Sequence, residues 1–355
     1  MAGGTGGHVF PALAVAEQLR AENVQISWLG TRRGIEAELV PAHGYELHYL
    51  DIEGIRGRGK KALFKAPLLL WKSITQARRV LTEFRPQVVL GMGGFASGPG
   101  AVAARLKGVP IVIHEQNSVP GTTNRITAKM AKRVMQGFPD VFRKGEWCGN
   151  PVRPEIAGLP APHERFMGRS GTTRILVLGG SRGALAINEL IPTALAQMEA
   201  SIRPVVLHQT GKAHWEKTVE LYQSLDINAE VVPFIDKMED AYRWADFVVC
   251  RSGALTVAEL AAVGLGSLLI PFPFAIDDHQ RVNGELLAEH GAAELILQKD
   301  LNAERLAAEL TEICRDSDRR MGMAMRAREL AKDNAAQAVA HACMEVGCTE
   351  VVHAK

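Results

Sequence analysis

The chain is organised by a rhythm. Apolar runs of strand length alternate with stretches of helical spacing, first at Gln25–Leu29, Tyr45–Leu50, Val88–Leu90, Pro110–His114 and Arg133–Gln136. They resume at Arg174–Leu178, Pro204–Gln209, Ala229–Pro233, Phe247–Cys250, Ser267–Ile270 and Ala293–Leu297. Helical patterns fill the first set at Gly34–Ala42, Ala62–Phe84, Ser97–Lys107 and Thr122–Ala131, and Asn302–Ala331 and Asn334–Gly347 close the chain as helices. Apolar strands separated by helices belong in parallel sheets, because a parallel crossover needs a helix and the helices then cover both faces. The expected class is α/β. The rhythm breaks at Gly149–Pro154 and the glycine- and proline-bearing stretch up to Gly171, which reads as a linker. At 355 residues the chain also exceeds one comfortable core, so two units are expected, 1–153 and 154–331.

Two glycine clusters mark the ligand edge. Gly3-Gly-Thr-Gly-Gly7 opens the first half, and Gly179-Gly-Ser-Arg-Gly183 follows the first strand of the second. The expected architecture is therefore two Rossmann-like, doubly wound parallel-sheet domains, with ligands at the carboxyl ends of the strands. A glycine loop of this kind normally follows a strand, whereas here the sequence opens on the loop. The expectation is that a first strand is missing, which would leave its neighbour as a sheet edge.

Composition narrows the classes. Hydrophobic residues at 47% and charged residues at 23% are ordinary for a globular protein, and a formal net charge of +2 neither requires nor excludes nucleic acid. The five cysteines, Cys148, Cys250, Cys314, Cys343 and Cys348, show no CxxC spacing, so neither a zinc knuckle nor a disulfide framework is indicated and a reducing compartment fits. No apolar run approaches the roughly 20 residues of a membrane span, and no signal-peptide pattern precedes the glycines.

The stretch Cys250-Arg-Ser-Gly-Ala-Leu-Thr-Val-Ala-Glu259 carries the clearest chemistry. An apolar strand runs into a helix through a Ser-Gly turn, which leaves backbone N–H groups open at a helix N-terminus, where the dipole favours an anion. Glu259, further in, can accept two hydroxyl hydrogen bonds, so phosphate and sugar together suit a nucleotide. The structural alternative is a plain βα turn with an acid favoured by the dipole. In the first half, the glycine density of Gly3–Gly7 points to close backbone approach by a ligand. His8 then stands at a helix start, where the neutral imidazole is favoured and can act as a base; a capping or packed histidine is the alternative.

Other motifs are weaker. Gly91-Met-Gly-Gly-Phe-Ala96 with Glu115 at the end of the next strand matches a dinucleotide fingerprint with its ribose acid. It sits at a middle strand, which argues against an oxidoreductase. His114-Glu-Gln-Asn117 puts four polar residues at the end of an apolar strand, and Asp277–Asn283 offers Gln280 and Asn283 at helical spacing. Asp316-Ser-Asp318 has the DxD form that some sugar transferases use for a divalent ion, yet it falls between helices and reads as a solvated turn. Gly54-Ile-Arg-Gly-Arg-Gly-Lys-Lys61 leads into Leu63, Phe64, Leu68–Leu70 and Trp71, with Lys72, Arg78 and Arg79 following. Such a stretch suits either an anionic membrane surface or a core helix with a solvated face, and Pro67 is expected to interrupt the helix.

Gly3–His8, Gly91-Met-Gly-Gly-Phe-Ala-Ser-Gly-Pro99, His114–Asn117, Gly149-Asn-Pro-Val-Arg153, Gly179-Gly-Ser-Arg-Gly-Ala184, Arg251–Glu259 and Asp277–Asn283 together resemble the MurG family. These are the bacterial N-acetylglucosaminyltransferases of glycosyltransferase family 28 that complete lipid II. The motifs stand in that family's order and span nearly the whole chain. The resemblance implies a GT-B fold, with the two domains facing a deep cleft and 332–355 returning as a helix to the N-terminal domain. It implies an inverting transfer of GlcNAc from UDP-GlcNAc to the muramyl C4 hydroxyl of undecaprenyl-linked lipid I in peptidoglycan synthesis. By the same resemblance, Ala254, Leu255, Thr256, Val257, Ala258 and Glu259 hold diphosphate and ribose, Ser181 the diphosphate and Ile235 the uracil through its backbone. Arg153 and Gln280 also contact the donor, Thr5, Gly6, Gly7 and Asn117 lie by the donor sugar and acceptor diphosphate, and His8 is the base. It further implies no cofactor, no metal and no nucleic acid. It places the protein peripherally on the cytoplasmic face of the inner membrane, where cell-wall synthesis partners would be met. Arg182 and Gly284 depart from the expected Gln and Ala. Alternatives on the same fold are a UDP-GlcNAc 2-epimerase, a transferase acting on another lipid, or a nucleotide-sugar-binding subunit without catalysis of its own.

Overall fold

The computed structural model describes the chain except 53–58, 181–182 and 354–355, and except the side chains of 59–65, 276 and 349–353. It divides into two compact units, Met1–Arg153 with Asp333–Lys355, and Pro154–Lys332.

The second unit is the simpler. Strands β7 (Arg174–Leu178), β8 (Val205–Gln209), β9 (Glu230–Val232), β10 (Phe247–Cys250), β11 (Ser267–Leu269) and β12 (Ala293–Leu295) form one sheet, in the order β12-β11-β10-β7-β8-β9. Every pair is parallel. The chain winds outward from β7 in one direction and then returns to build outward from β10 in the other. The β7/β10 junction is thus the switch point at which a crevice opens beyond the strand ends. Ile175, Val177, Phe247, Val249 and Leu268 pack under the helices Leu185–Gln197 and Ala303–Arg315 through Ile187, Ile191, Leu306 and Leu310.

The first unit holds two parallel sheets. β1 (Ser27–Gly30) pairs with β2 (Glu46–Tyr49), and β3 (Val89–Gly91), β4 (Ile111–Glu115), β5 (Arg133–Gln136) and the two-residue β6 (Glu146–Trp147) follow in order. β1 and β3 are not bonded to each other. Between them the amino group of Met1 donates to Leu90 O (2.8 Å), Met92 N donates to Met1 O (2.9 Å) and Trp28 Nε1 donates to Ala2 O (2.8 Å). A cavity of about 700 Å³ lies alongside, lined among others by Val15, Trp28, Leu29, Val89, Leu90 and Cys343. The last helix, Ala335–His353, packs Val339, Ala340, Ala342 and Cys343 on Val15, Val112 and Met135.

One sequence expectation is corrected. Pro67 does not interrupt its helix, which runs unbroken from Gly59 to Phe84. Leu68–Trp71 lie just beyond it and stay exposed, while Ser73, Ala77 and Leu81, four residues apart, form the buried stripe. Asn302–Ala331 forms two helices with the break at Asp316, where the sequence places the DxD between helices. Asp316 ends the first and caps the second, its carboxylate accepting from Arg319 N (2.8 Å), so the DxD pattern is a helix cap. Among the described residues no helix is long and apolar enough to cross a membrane.

Glu36 holds the glycine loop in place. Its side chain is fully buried and accepts from Thr31 N (2.8 Å), Thr31 Oγ1 (2.7 Å) and Gly4 N (2.9 Å). Gly3, Gly30 and Gly34 wall it in, and a Cβ on any of them would fall within 2.7 Å of a Glu36 side-chain atom. Removing a buried acceptor strands its donors, which costs more than the bonds were worth. Glu36→Ala is therefore expected to destabilise the first unit by about 3 kcal/mol, roughly 6–12 °C in thermal midpoint for a unit of this size. Circular dichroism melting checks this, and an unchanged midpoint would remove Glu36 as the anchor.

Candidate functional site

In the first unit the polar side chains gather beyond β3 and β4. Helix Gly6–Ala21 begins on the glycine loop with Thr5 as its cap residue, and Thr5 O accepts from His8 N (3.1 Å) and Val9 N (3.2 Å). Thr5 and Gly7 are exposed and Gly6 half-buried, so the first turn is open to a ligand. His8 is half-buried, and its Nδ1 meets Gln116 Oε1 at 2.9 Å. Gln116 Nε2 lies 3.2 Å from His114 Nδ1, and His114 Nε2 lies 2.9 Å from Gly149 O. His114 is fully buried, and burial pushes its imidazole down to about 4, so it is neutral at physiological pH.

The GxGxxA spacing has a different use from dinucleotide binding. Gly94, at φ +83°, lies against Gly3, whose carbonyl oxygen would be 2.2 Å from a Cβ. Gly93, at φ +95°, lies against the His8 ring, with Cε1 at 2.9 Å and Nδ1 at 3.0 Å from such a Cβ. The glycines let two loops and an imidazole close on one another. Glu115 is not a ribose acid either. It is buried, Oε1 accepting from Asn117 N (2.9 Å) and Oε2 from Gly121 N (3.1 Å) and Asn124 Nδ2 (3.0 Å). Asn117, half-buried, is thereby tied to the turn after β4. Asn124 went unremarked in the sequence. It also donates to His114 O (3.1 Å), and its buried Oδ1 finds no hydrogen-bond partner among the described residues. Gly149–Arg153 is more than a linker: Asn150 is buried and donates to Gln116 O (2.9 Å), and Arg153 lies over the Phe10 ring at 5.3 Å.

In the second unit the open end of helix Ala254–Val263 stands beyond β10, beside the switch point. Gly253 caps it with extended backbone, and its first turn carries no acid. The other end is held by cations. Arg165 donates to Val263 O (2.7 Å) and Gly264 O (2.5 Å), and Arg328 donates to Ala262 O. Burial pushes Arg165 down to about 10, still fully charged at neutral pH. Positive charge at the C-terminal end and none of either sign in the first turn leave the N-terminus electropositive. Ala254 and Val257 face the core, Leu255, Thr256 and Ala258 are half-buried, and Glu259 is only 6% exposed. Glu259 Oε2 accepts from the buried Tyr242 hydroxyl (2.9 Å), which the sequence did not single out.

Ile235 is half-buried in the loop between β9 and helix Met238–Trp244, and Gln280 Oε1 accepts from Phe272 N (2.9 Å) at the start of helix His279–Glu289. Ser181 and Arg182 lie outside the described residues. At Gly284 a Cβ would meet Leu295 Cδ1 at 2.7 Å, so in this chain a leucine has taken the space an alanine would need. Among the described residues, no three His, Cys, Asp or Glu side chains converge as a metal site would require.

The basic-apolar stretch is surface. Leu68 (69%), Leu69 (41%), Leu70 (42%) and Trp71 (67%) are exposed in succession, with Lys72, Arg78 and Arg79 exposed beside them. Gly54–Phe64, the rest of that stretch, lies outside the described residues or has undescribed side chains.

Residues 1–136 match the glycosyltransferase family 28 N-terminal domain and residues 174–341 the glycosyltransferase family 28 C-terminal domain. The chain is 51% identical over 349 residues to a protein of Nitrosococcus oceani, covering 98% of this chain and 97% of that one. It is 53% identical over 352 residues to one of Cellvibrio japonicus, with the same coverage. Both relatives are named UDP-N-acetylglucosamine--N-acetylmuramyl-(pentapeptide) pyrophosphoryl-undecaprenol N-acetylglucosamine transferase. The crystal structure of Acinetobacter baumannii MurG superposes with a TM-score of 0.83 at 38% identity, over 97% of this chain and 98% of that one, and so gives this chain the GT-B fold. On full-length likeness and both domain matches, this chain belongs to glycosyltransferase family 28.

Proposed function

We propose that this chain is an inverting N-acetylglucosaminyltransferase. It moves GlcNAc from UDP-GlcNAc to the C4 hydroxyl of the muramyl unit of undecaprenyl-pyrophosphoryl-MurNAc-pentapeptide, turning lipid I into lipid II in peptidoglycan synthesis. The observation that carries this reading is identity of about half, along almost the entire chain, to enzymes named for that transfer.

The residues take the roles that the family resemblance implies for them. The N-terminus of helix Ala254–Val263 receives the diphosphate, for which Ser181 is a further contact, and stabilises the charge that UDP gains as it leaves. Glu259 is repelled by a diphosphate unless it is turned onto hydroxyls, and a ribose supplies two. Ile235 meets the uracil through its backbone, and Gln280 and Arg153 complete the donor contacts. Thr5, Gly6, Gly7 and Asn117 serve the donor sugar and acceptor diphosphate. The acceptor oxygen attacks the anomeric carbon opposite UDP, the bond to the UDP oxygen breaks, and the hydroxyl proton passes to His8, giving a β-1,4 linkage.

The acceptor's undecaprenyl tail confines it to a membrane. Leu68–Trp71 and their flanking cations suit peripheral docking on anionic lipid at the cytoplasmic face of the inner membrane.

The decisive experiment incubates the protein with labelled UDP-GlcNAc and a lipid I analogue. Disaccharide product is expected, and hydrolysis or epimerisation of UDP-GlcNAc without transfer would overturn the reading. In the same assay His8→Ala should lose about 10²–10⁴ in turnover while UDP binding holds. Calorimetry should show Glu259→Gln binding UDP about tenfold more weakly, the size expected for a hydrogen bond to a charged group, at an unchanged thermal midpoint. Vesicle sedimentation should show the Leu69→Ser, Trp71→Ser double variant losing affinity for anionic vesicles and keeping UDP affinity; unaltered sedimentation would dismiss the patch as a docking face.

A further inference from the structure

Two residues behind His8 have no role so far: His114 and Gln116 are 0% and 1% exposed, too deep to touch a substrate. We propose that they are positioning residues, a fixed hydrogen-bond relay that holds His8 in the tautomer with its proton on Nδ1 and its lone pair on Nε2. The proposal rests on the reading of His8 as the base and names the nitrogen that acts.

Each hydrogen in the relay follows from an atom that can only accept. Gly149 O is a carbonyl oxygen, so the 2.9 Å contact requires the proton on His114 Nε2. Burial keeps His114 neutral, so its one ring proton is spent there and Nδ1 carries a lone pair. That lone pair faces the Gln116 amide nitrogen at 3.2 Å and must accept from it. A second carbonyl, His114 O, lies 3.3 Å from the same nitrogen and orients the amide independently. Turned the other way, the amide oxygen would face two acceptors. Gln116 Oε1 therefore points at His8 Nδ1, 2.9 Å away, and an amide oxygen can only accept. The proton of neutral His8 is on Nδ1, and Nε2 is bare.

The frame around the relay is rigid. Asn124 Nδ2 donates to His114 O (3.1 Å), and Asn150 Nδ2 donates to Gln116 O (2.9 Å), fixing the backbone at both relay residues. Gly93 leaves the space that the Cε1–Nδ1 edge of the His8 ring fills. In an acid–base histidine, the bond made by one ring nitrogen decides which nitrogen reacts. A carboxylate in that place would also stabilise imidazolium, whereas the neutral amide sets the tautomer alone. An amide is no proton shuttle, so the proton taken at Nε2 leaves from Nε2. Once charged, His8 still donates to Gln116 through Nδ1, and the relay survives the step unchanged.

The test is nitrogen NMR on the full chain labelled with ¹⁵N-histidine, with the His8 signals assigned by their loss in His8→Ala. Long-range ¹⁵N–¹H correlations distinguish the two tautomers without any turnover. The wild-type chain should show His8 protonated on Nδ1. Gln116→Met, similar in length but unable to accept this bond, should shift His8 toward the Nε2–H form. It should also lower kcat by about tenfold or more with KM for UDP-GlcNAc kept. A wild-type His8 protonated on Nε2, or a Gln116→Met chain whose His8 stays Nδ1-protonated, overturns the relay. Full turnover by His8→Ala would instead remove the base reading and leave the tautomer result standing.

Discussion

The buried carboxylate of Glu36 is the constraint on which the first unit's site depends. A glycine-rich loop has the most conformational freedom to lose, so its order must be supplied from outside. Glu36 supplies it, binding the loop at Gly4 and the end of β1 at Thr31 through one pair of oxygens. The helix that starts at Gly6 and carries His8 is aimed by that grip. Gly93 and Gly94 close on the other side, so the loop is held between two strand ends rather than resting on one.

The second unit solves a related problem in charge. A helix N-terminus attracts an anion, yet the same helix carries Glu259 in its second turn. Tyr242 donates to one carboxylate oxygen and fixes the group by that bond. At the far end Arg165 and Arg328 meet the last carbonyls, where a cation is favoured. The helix is thus met by cations at one end and, among the described residues, has no side-chain cap at the other. That asymmetry favours negative charge at the N-terminal end.

Much of this was legible in the residues. The strand rhythm, the first glycine loop and the Ser-Gly turn before Ala254 depend on local pattern, and the structure places them as strands and as turns that lead into helices. The misreadings share one cause. Pro67 removes a single backbone donor, and its helix continues on the packing of Ser73, Ala77 and Leu81 beyond it. Gly91–Ala96 carries the spacing of a cofactor loop, but its glycines are there because Gly3 and His8 press on them from about 85 residues or more away. His114 and Gln116 were legible as part of a polar strand end but not in their separate roles, and Asn124 and Tyr242 went unremarked, because a polar residue's worth as support depends on the partner it meets.

The sequence by itself determined the α/β class, the strand ends at which ligands would gather, and the identity of the groups at those ends. These follow from periodicity and from the few residues able to turn tightly or carry charge. Only the tertiary structure decided which groups face a ligand and which face each other. Glu115 and Glu259 are both carboxylates after or near an apolar strand, yet one is consumed by Asn117, Gly121 and Asn124 while the other meets the Tyr242 hydroxyl in the second turn of a helix. Hydrogen bonds are directional and short, so the role of each polar group waits on which distant atoms the fold brings within about 3 Å of it.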